Sequence, residues 1–125
     1  MPQLSRIFLL IGAANGALAV LMGAFGAHAL KSRLSAEMMA VYQTGIHYHM
    51  FHALGLLAAG LLAAQLPGSA SLKWSGWLML IGIILFSGSL YLLSATGLRW
   101  LGMITPIGGL SFIAAWVLFV LAVVR

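Results

Sequence analysis

The chain has 125 residues, of which 63% are hydrophobic and only 6% charged, whereas a soluble domain averages about 45–50% apolar and about 25% charged. A water-soluble protein of this length has too little interior to hide so much apolar surface, so the chain reads as one integral membrane domain, residues 1–125. The formal charge of +5 comes from six Lys and Arg against a single acid, Glu37; these cations sit singly at the ends of apolar runs, with no basic patch interleaved with aromatics, which points to lipid headgroups and away from nucleic acid.

A helix needs about 20 apolar residues to cross a hydrocarbon core of about 30 Å, and four stretches qualify. The first, 7–30, follows Arg6. Its "AHA" at Ala27–Ala29 superficially resembles a secretory cleavage site, but the apolar run is longer than the usual core of about 7–15 residues, so it reads as a retained span. Gly12 and Gly16 form a small-xxx-small pair and Ala19, Gly23 and Ala27 extend another, which suits close helix packing. Asn15 lies deep in this span and needs a partner, because an unpaired amide in hydrocarbon is costly.

The joint that follows carries Lys31, Arg33 and Glu37. Ser35 is placed to cap a helix whose first turn holds Glu37, and Arg33 stands four residues before Glu37, at pairing distance. Leu34, Met38, Val41 and Tyr42 form an apolar stripe, so residues 35–43 read as an interfacial helical lead-in to the second span, 45–66. The turn around Pro67-Gly68 leads to the third span, 74–94, which carries Ser87, Gly88, Ser89, Tyr91 and Ser94. A short joint ending at Arg99 leads to the fourth span, 101–124. There Thr105-Pro106 reads as N-cap and first helical residue, or else the helix starts near Leu98 and kinks at Pro106. Trp74 and Trp77 mark one membrane interface and Trp100 the other. Connections this brief make neighbouring spans antiparallel. The expected architecture is therefore an all-α, four-helix transmembrane bundle with both termini on one side. Charge counting ties, with Arg6, Lys73 and Arg125 on the side of the termini and Lys31, Arg33 and Arg99 opposite. A cytoplasmic placement of the termini is the working expectation.

The ionisable groups concentrate in "TGIHYHMFHALGLL", Thr44–Leu57. At 100° per residue His49 and His52 lie about 60° apart, while His47 points about 140° or more from either, so at most two of the three rings share a site. Thr44, Tyr48 and His52 form a polar stripe continued by Gly55. His28, near the exit of the first span, lies on the same membrane side and is the candidate to hydrogen-bond His52 across the hairpin. His28, His49 and His52 are the weak metal-ligand candidates, held back by the lack of a carboxylate second shell and of any cysteine. No metal or cofactor is expected. Catalysis is not expected either: the chain has no Asp, its one Glu lies in the joint, and no Gly-rich phosphate loop appears. The polar face expected to gather between helices comprises Asn15, His28, Tyr48, His49, His52, Ser87, Ser89, Tyr91 and Thr105.

"GAFGAHALK" (Gly23–Lys31), "TGIHYHMFHALGLL", "FSGSLYLL" (Phe86–Leu93) and "TPIGGLSFIAAW" (Thr105–Trp116) occur in an order and spacing that resemble the small membrane proteins of domain-of-unknown-function family 423, whose eukaryotic relatives are called transmembrane protein 256. The resemblance covers nearly the whole chain. It implies a bacterial inner-membrane protein of about four helices and no established activity. It also implies that His28 and His52 match the family's histidines, while His47 and His49 are departures. The expected function is that of a non-enzymatic accessory or interaction protein in the lipid bilayer, forming a homo-oligomer or joining other membrane proteins. The alternatives are a small transporter or channel for a proton, metal ion or small solute using His28 and His52, and a lipid- or quinone-binding protein with a groove lined by Tyr91 and Trp116.

Overall fold

The computed structural model describes residues 1–124; Arg125, counted above with the termini, lies outside the described residues. Four helices are long and apolar enough to cross a membrane: α1, Gln3–Leu30; α2, Ala36–Gln65; α3, Ala70–Thr96; and α4, Thr105–Val123, preceded by a 3₁₀ turn, Arg99–Met103. α1, α2 and α3 begin before the apolar runs that announce them, because polar residues at the ends continue the helix, whereas α4 lies within the expected 101–124 and starts later, behind the 3₁₀ turn. Local signals explain where they begin and stop. Ser35 and Ser69 cap α2 and α3 by accepting from Met38 N and Leu72 N at 3.1 and 3.2 Å. Gly97, at φ 73°, ends α3 in the left-handed conformation that costs glycine nothing.

Four local readings change. The stretch 35–43 is helical as expected, but it runs into the second span as one unbroken helix of 30 residues, about 45 Å long. Thr105 does not cap α4. The N-cap is Ile104, Pro106 sits within the first turn, and the Thr105 hydroxyl turns to Ser89 instead. The expected Arg33–Glu37 pair is replaced by Arg99–Glu37 at 3.7 Å, which ties the first turn of α2 to the 3₁₀ turn before α4; both side chains are exposed, so it is worth little. Trp74 and Trp100 are exposed in keeping with an interfacial belt, whereas Trp77 packs edge-on against Phe8 with centroids 5.4 Å apart and belongs to the bundle.

α2 is the central helix. α1 packs along it on one side and α3 on the other, and α4 packs on α3. Phe8, Leu56, Leu72, Met79, Ile83 and Phe112 form the buried core. Helix seams are closed by hydroxyls donating to backbone carbonyls of the neighbour: Ser5 to Gly60 at 2.6 Å, Ser87 to Gly45, Ser75 to Ala115 and Ser111 to Leu78, each at 2.7 Å. Glycines allow the close approach. The Phe8 ring lies over Gly76, the Tyr42 ring over Gly26 and the Phe112 ring over Gly82, each where a Cβ would stand. α1 ends in a π turn, Gly26–Leu30, and α3 contains another, Ile83–Ser87. The extra residue in α3 turns the stretch after it by about 100° relative to an unbroken helix.

The contact at Gly82 makes a direct prediction. Gly82→Ala places a methyl against a ring that is already packed, so thermal unfolding in detergent should show a loss of about 1–3 kcal/mol. A melting curve equal to that of the unaltered protein would contradict this packing.

Candidate functional site

The polar residues gather into separate groups, and not into one face. The first spans three helices. His49 is 1% exposed. Its Nε2 lies 2.9 Å from Asn15 Oδ1 and its Nδ1 lies 2.9 Å from the Tyr91 hydroxyl. The proton positions follow from the partners. Asn15 Nδ2 donates to the Ile11 carbonyl at 2.9 Å, so its Oδ1 faces the imidazole and accepts from Nε2–H. That leaves Nδ1 as a lone pair, to which the Tyr91 hydroxyl donates. His49 is thus a neutral ring joining α1, α2 and α3 by a directed chain, Tyr91 to His49 to Asn15 to Ile11.

The second group sits one turn further along α2. His52 is 3% exposed. The Trp116 indole donates to its Nε2 at 3.0 Å, and an indole N–H has no acceptor capacity. Nε2 is therefore the lone pair, and Nδ1–H donates to the Tyr48 carbonyl at 2.8 Å. The His52 ring stacks on Phe112 with centroids 3.5 Å apart and planes 9° from parallel. The two buried histidines are held as opposite neutral tautomers, and each lone pair is occupied. A metal would have to displace Tyr91 or Trp116 to reach them.

His28 stays apart. It is exposed on the π turn that ends α1, and no hydrogen bond joins it to another described residue, so the expected His28–His52 bond across the hairpin does not form. His28, His49 and His52 do not converge, and among the described residues no group of three or more His, Asp or Glu side chains is placed to hold a metal ion. His49, a departure from the family pattern in the reading above, makes the three-helix bridge. Ser87 ties α3 to α2 through Gly45. Ser89 and Thr105 share a hydrogen bond of 2.6 Å that pins the start of α4 to α3. The small residues of α1 divide: Gly12 and Ala19 are buried, with Gly12 against Leu57, whereas a Cβ at Gly16 or Gly23 would meet nothing within 4 Å.

Tyr48 belongs to a third feature, a groove of about 550 Å³ lined by His47, Tyr48, Phe51, His52, Phe86, Gly109, Phe112, Ile113 and Trp116. α2 and α4 meet here through side chains while α3 lies between their backbones, so the gap is bridged by the His52–Phe112–Trp116 contacts. Tyr91 faces the His49 bridge and does not line the groove, contrary to the expectation for a lipid site. Trp116 does line the groove as expected, whereas Phe112 is not among the residues singled out from the sequence. Their spacing of four on α4 was the available signal, but that spacing alone does not say that the indole reaches a histidine.

The His49 bridge has a measurable consequence. In a double-mutant cycle of Asn15→Leu and His49→Phe, followed by reversible unfolding, the coupling energy should be about 0.6–1.7 kcal/mol, the range for interhelical hydrogen bonds in membranes. Strict additivity would mean that the bond contributes nothing.

The family described as "Protein of unknown function (DUF423)" matches residues 22–109. The chain is similar to the UPF0382 membrane protein YwdK of Bacillus subtilis, with 49% identity over 96% of this chain and 98% of the relative. It is also similar to the UPF0382 inner membrane protein YgdD of Escherichia coli, with 40% identity over 97% of this chain and 92% of the relative. No solved structure matches the chain.

Proposed function

The chain belongs to the DUF423 family of membrane proteins, and from that premise we propose that it works without catalysis, as an accessory protein that associates through α1 with a second copy or with another membrane protein. The observation that carries this reading is the outer side of α1. Ala13, Ala17 and Ala24 are exposed there around Val20, and Gly16 and Gly23 lie at its edge with open space where a Cβ would be. Lipid gives a helix no reason to keep so many small residues on one side. Helix–helix association does, because small residues let backbones approach and gain dispersion contacts.

The polar chemistry supports the non-catalytic part. Glu37 is exposed beside Arg99, and the two buried imidazoles have both ring nitrogens bonded within the bundle. A transport route through His28 and His52 finds no support, since His52 is held by Tyr48 and Trp116. The inner-membrane wording of the Escherichia coli relative's name supports residence in the cytoplasmic membrane, and with four spans both termini share a side, which we place in the cytoplasm.

The test is the oligomeric state in lipid nanodiscs and gentle detergent, by native mass spectrometry and sedimentation. The protein is expected to associate. Gly16→Leu with Gly23→Leu should weaken association by about tenfold, about 1.4 kcal/mol, while leaving unfolding of the single chain unchanged. A protein that stays monomeric and brings no partner from its own membrane, or association indifferent to both substitutions, would overturn the reading.

A further inference from the structure

On the side of the bundle formed by α2 and α4, we propose that the aromatic groove binds the ring of a quinone-type lipid: a neutral, flat, carbonyl-bearing ring on an apolar tail. This does not depend on the α1 interface.

Four features of the groove select that occupant. Part of the wall is flat. The Tyr48 ring lies 8° from parallel with His52 and 16° from parallel with Phe112, so three rings from α2 and α4 share one orientation and offer a face to a planar guest, while Phe86 and Trp116 are tilted against them. The groove opens sideways towards lipid, since Phe51, Ile113 and Tyr48 on its rim are 59, 62 and 44% exposed. Two of its four polar side chains have no partner. The Tyr48 hydroxyl and the His47 ring bond no other described residue, and on an apolar wall an unpaired donor favours a ligand acceptor over hydrocarbon. Charge is absent. None of the Lys or Arg residues among those described lines the groove, so a phosphate placed there would lack a counter-ion.

A quinone-type lipid dissolves in the hydrocarbon region and reaches a laterally open groove without bringing a charge to it. The ring would lie against Tyr48, Phe86 and Phe112 and accept from Tyr48 and His47, with its tail leaving past Ile113 into the bilayer.

Gly109 provides a clean means of filling the site. A Cβ there stands at ordinary contact, 3.8 Å from the Phe86 ring, so a larger side chain is accommodated by the fold and occupies the groove. Ile113→Phe fills it from the exposed rim, disturbs no core residue and adds no second tryptophan. The reporter is Trp116 itself, isolated by replacing Trp74, Trp77 and Trp100 with Phe, and the probe is a decyl-substituted benzoquinone titrated into nanodiscs of phosphatidylcholine. Quenching of Trp116 should saturate above the partitioning background. Gly109→Leu and Ile113→Phe should each lower the apparent affinity at least tenfold, and Tyr48→Phe should lower it about threefold to tenfold. Quenching that never saturates, or that saturates identically in both groove-filling variants, would overturn the proposal. So would a tightly held phospholipid that native mass spectrometry finds lost in Gly109→Leu and that the quinone does not displace.

Discussion

Hydrocarbon offers no partner for a hydrogen bond, and this constraint organises the whole bundle. In water, burying Leu and Phe would bring the helices together; in lipid the surroundings are as apolar as the core, and close packing with internal polar contacts must do it. The structure answers at every seam. Ser5, Ser75, Ser87 and Ser111 each donate to a carbonyl on the neighbouring helix, next to glycines or alanines that let the backbones approach. No buried side-chain nitrogen or oxygen among the described residues lacks a partner. The His49 bridge is the strongest expression of the rule, because a single ring satisfies an amide from α1 and a phenol from α3.

How much of this was legible in the sequence depends on whether the cause is local. Four spans followed from hydropathy alone, and the Ser35 cap from its place before a helical stripe. The starts of α1, α2 and α3 lie earlier than hydropathy places them because apolarity marks what lipid touches, whereas the helix continues as long as its backbone is capped and solvated, as along residues 36–44. The small-residue pattern of α1 correctly signalled close packing. It did not say which glycines face α2 and which face outward, since that requires the rotation of α1 about its own axis.

The histidines show the same limit more sharply. Periodicity separated His47 from His49 and His52, and the structure keeps them apart, with His47 at the groove and His49 within the bundle. Pairing His28 with His52 fails on depth: α1 and α2 run antiparallel with Gly26 against Tyr42 and Asn15 against His49, so His28 stands opposite the start of α2 while His52 lies far deeper in the hairpin. The partners of His49 and His52 lie 34, 42 and 64 residues away along the chain. The π turn in α3 lies between Met79 and Tyr91 and changes the side on which Tyr91 emerges, a rotation that a regular helical period does not contain.

The two histidines connect the packed interior to the open groove. They are three residues apart on α2, one turn, yet the first is enclosed by α1 and α3 while the second forms the groove wall with Phe112 and Trp116. The Nδ1–H of His52 donates to the carbonyl of Tyr48, so the ring that stacks on α4 is anchored to the backbone of the residue whose hydroxyl faces the groove. Fixing His49 fixes the rotation of α2, and that rotation holds Tyr48 and His52 towards α4. The groove therefore keeps its shape without α2 and α4 touching along their backbones. A preformed site facing lipid needs this arrangement, because flat walls that collapsed onto each other in hydrocarbon would leave no room for a guest.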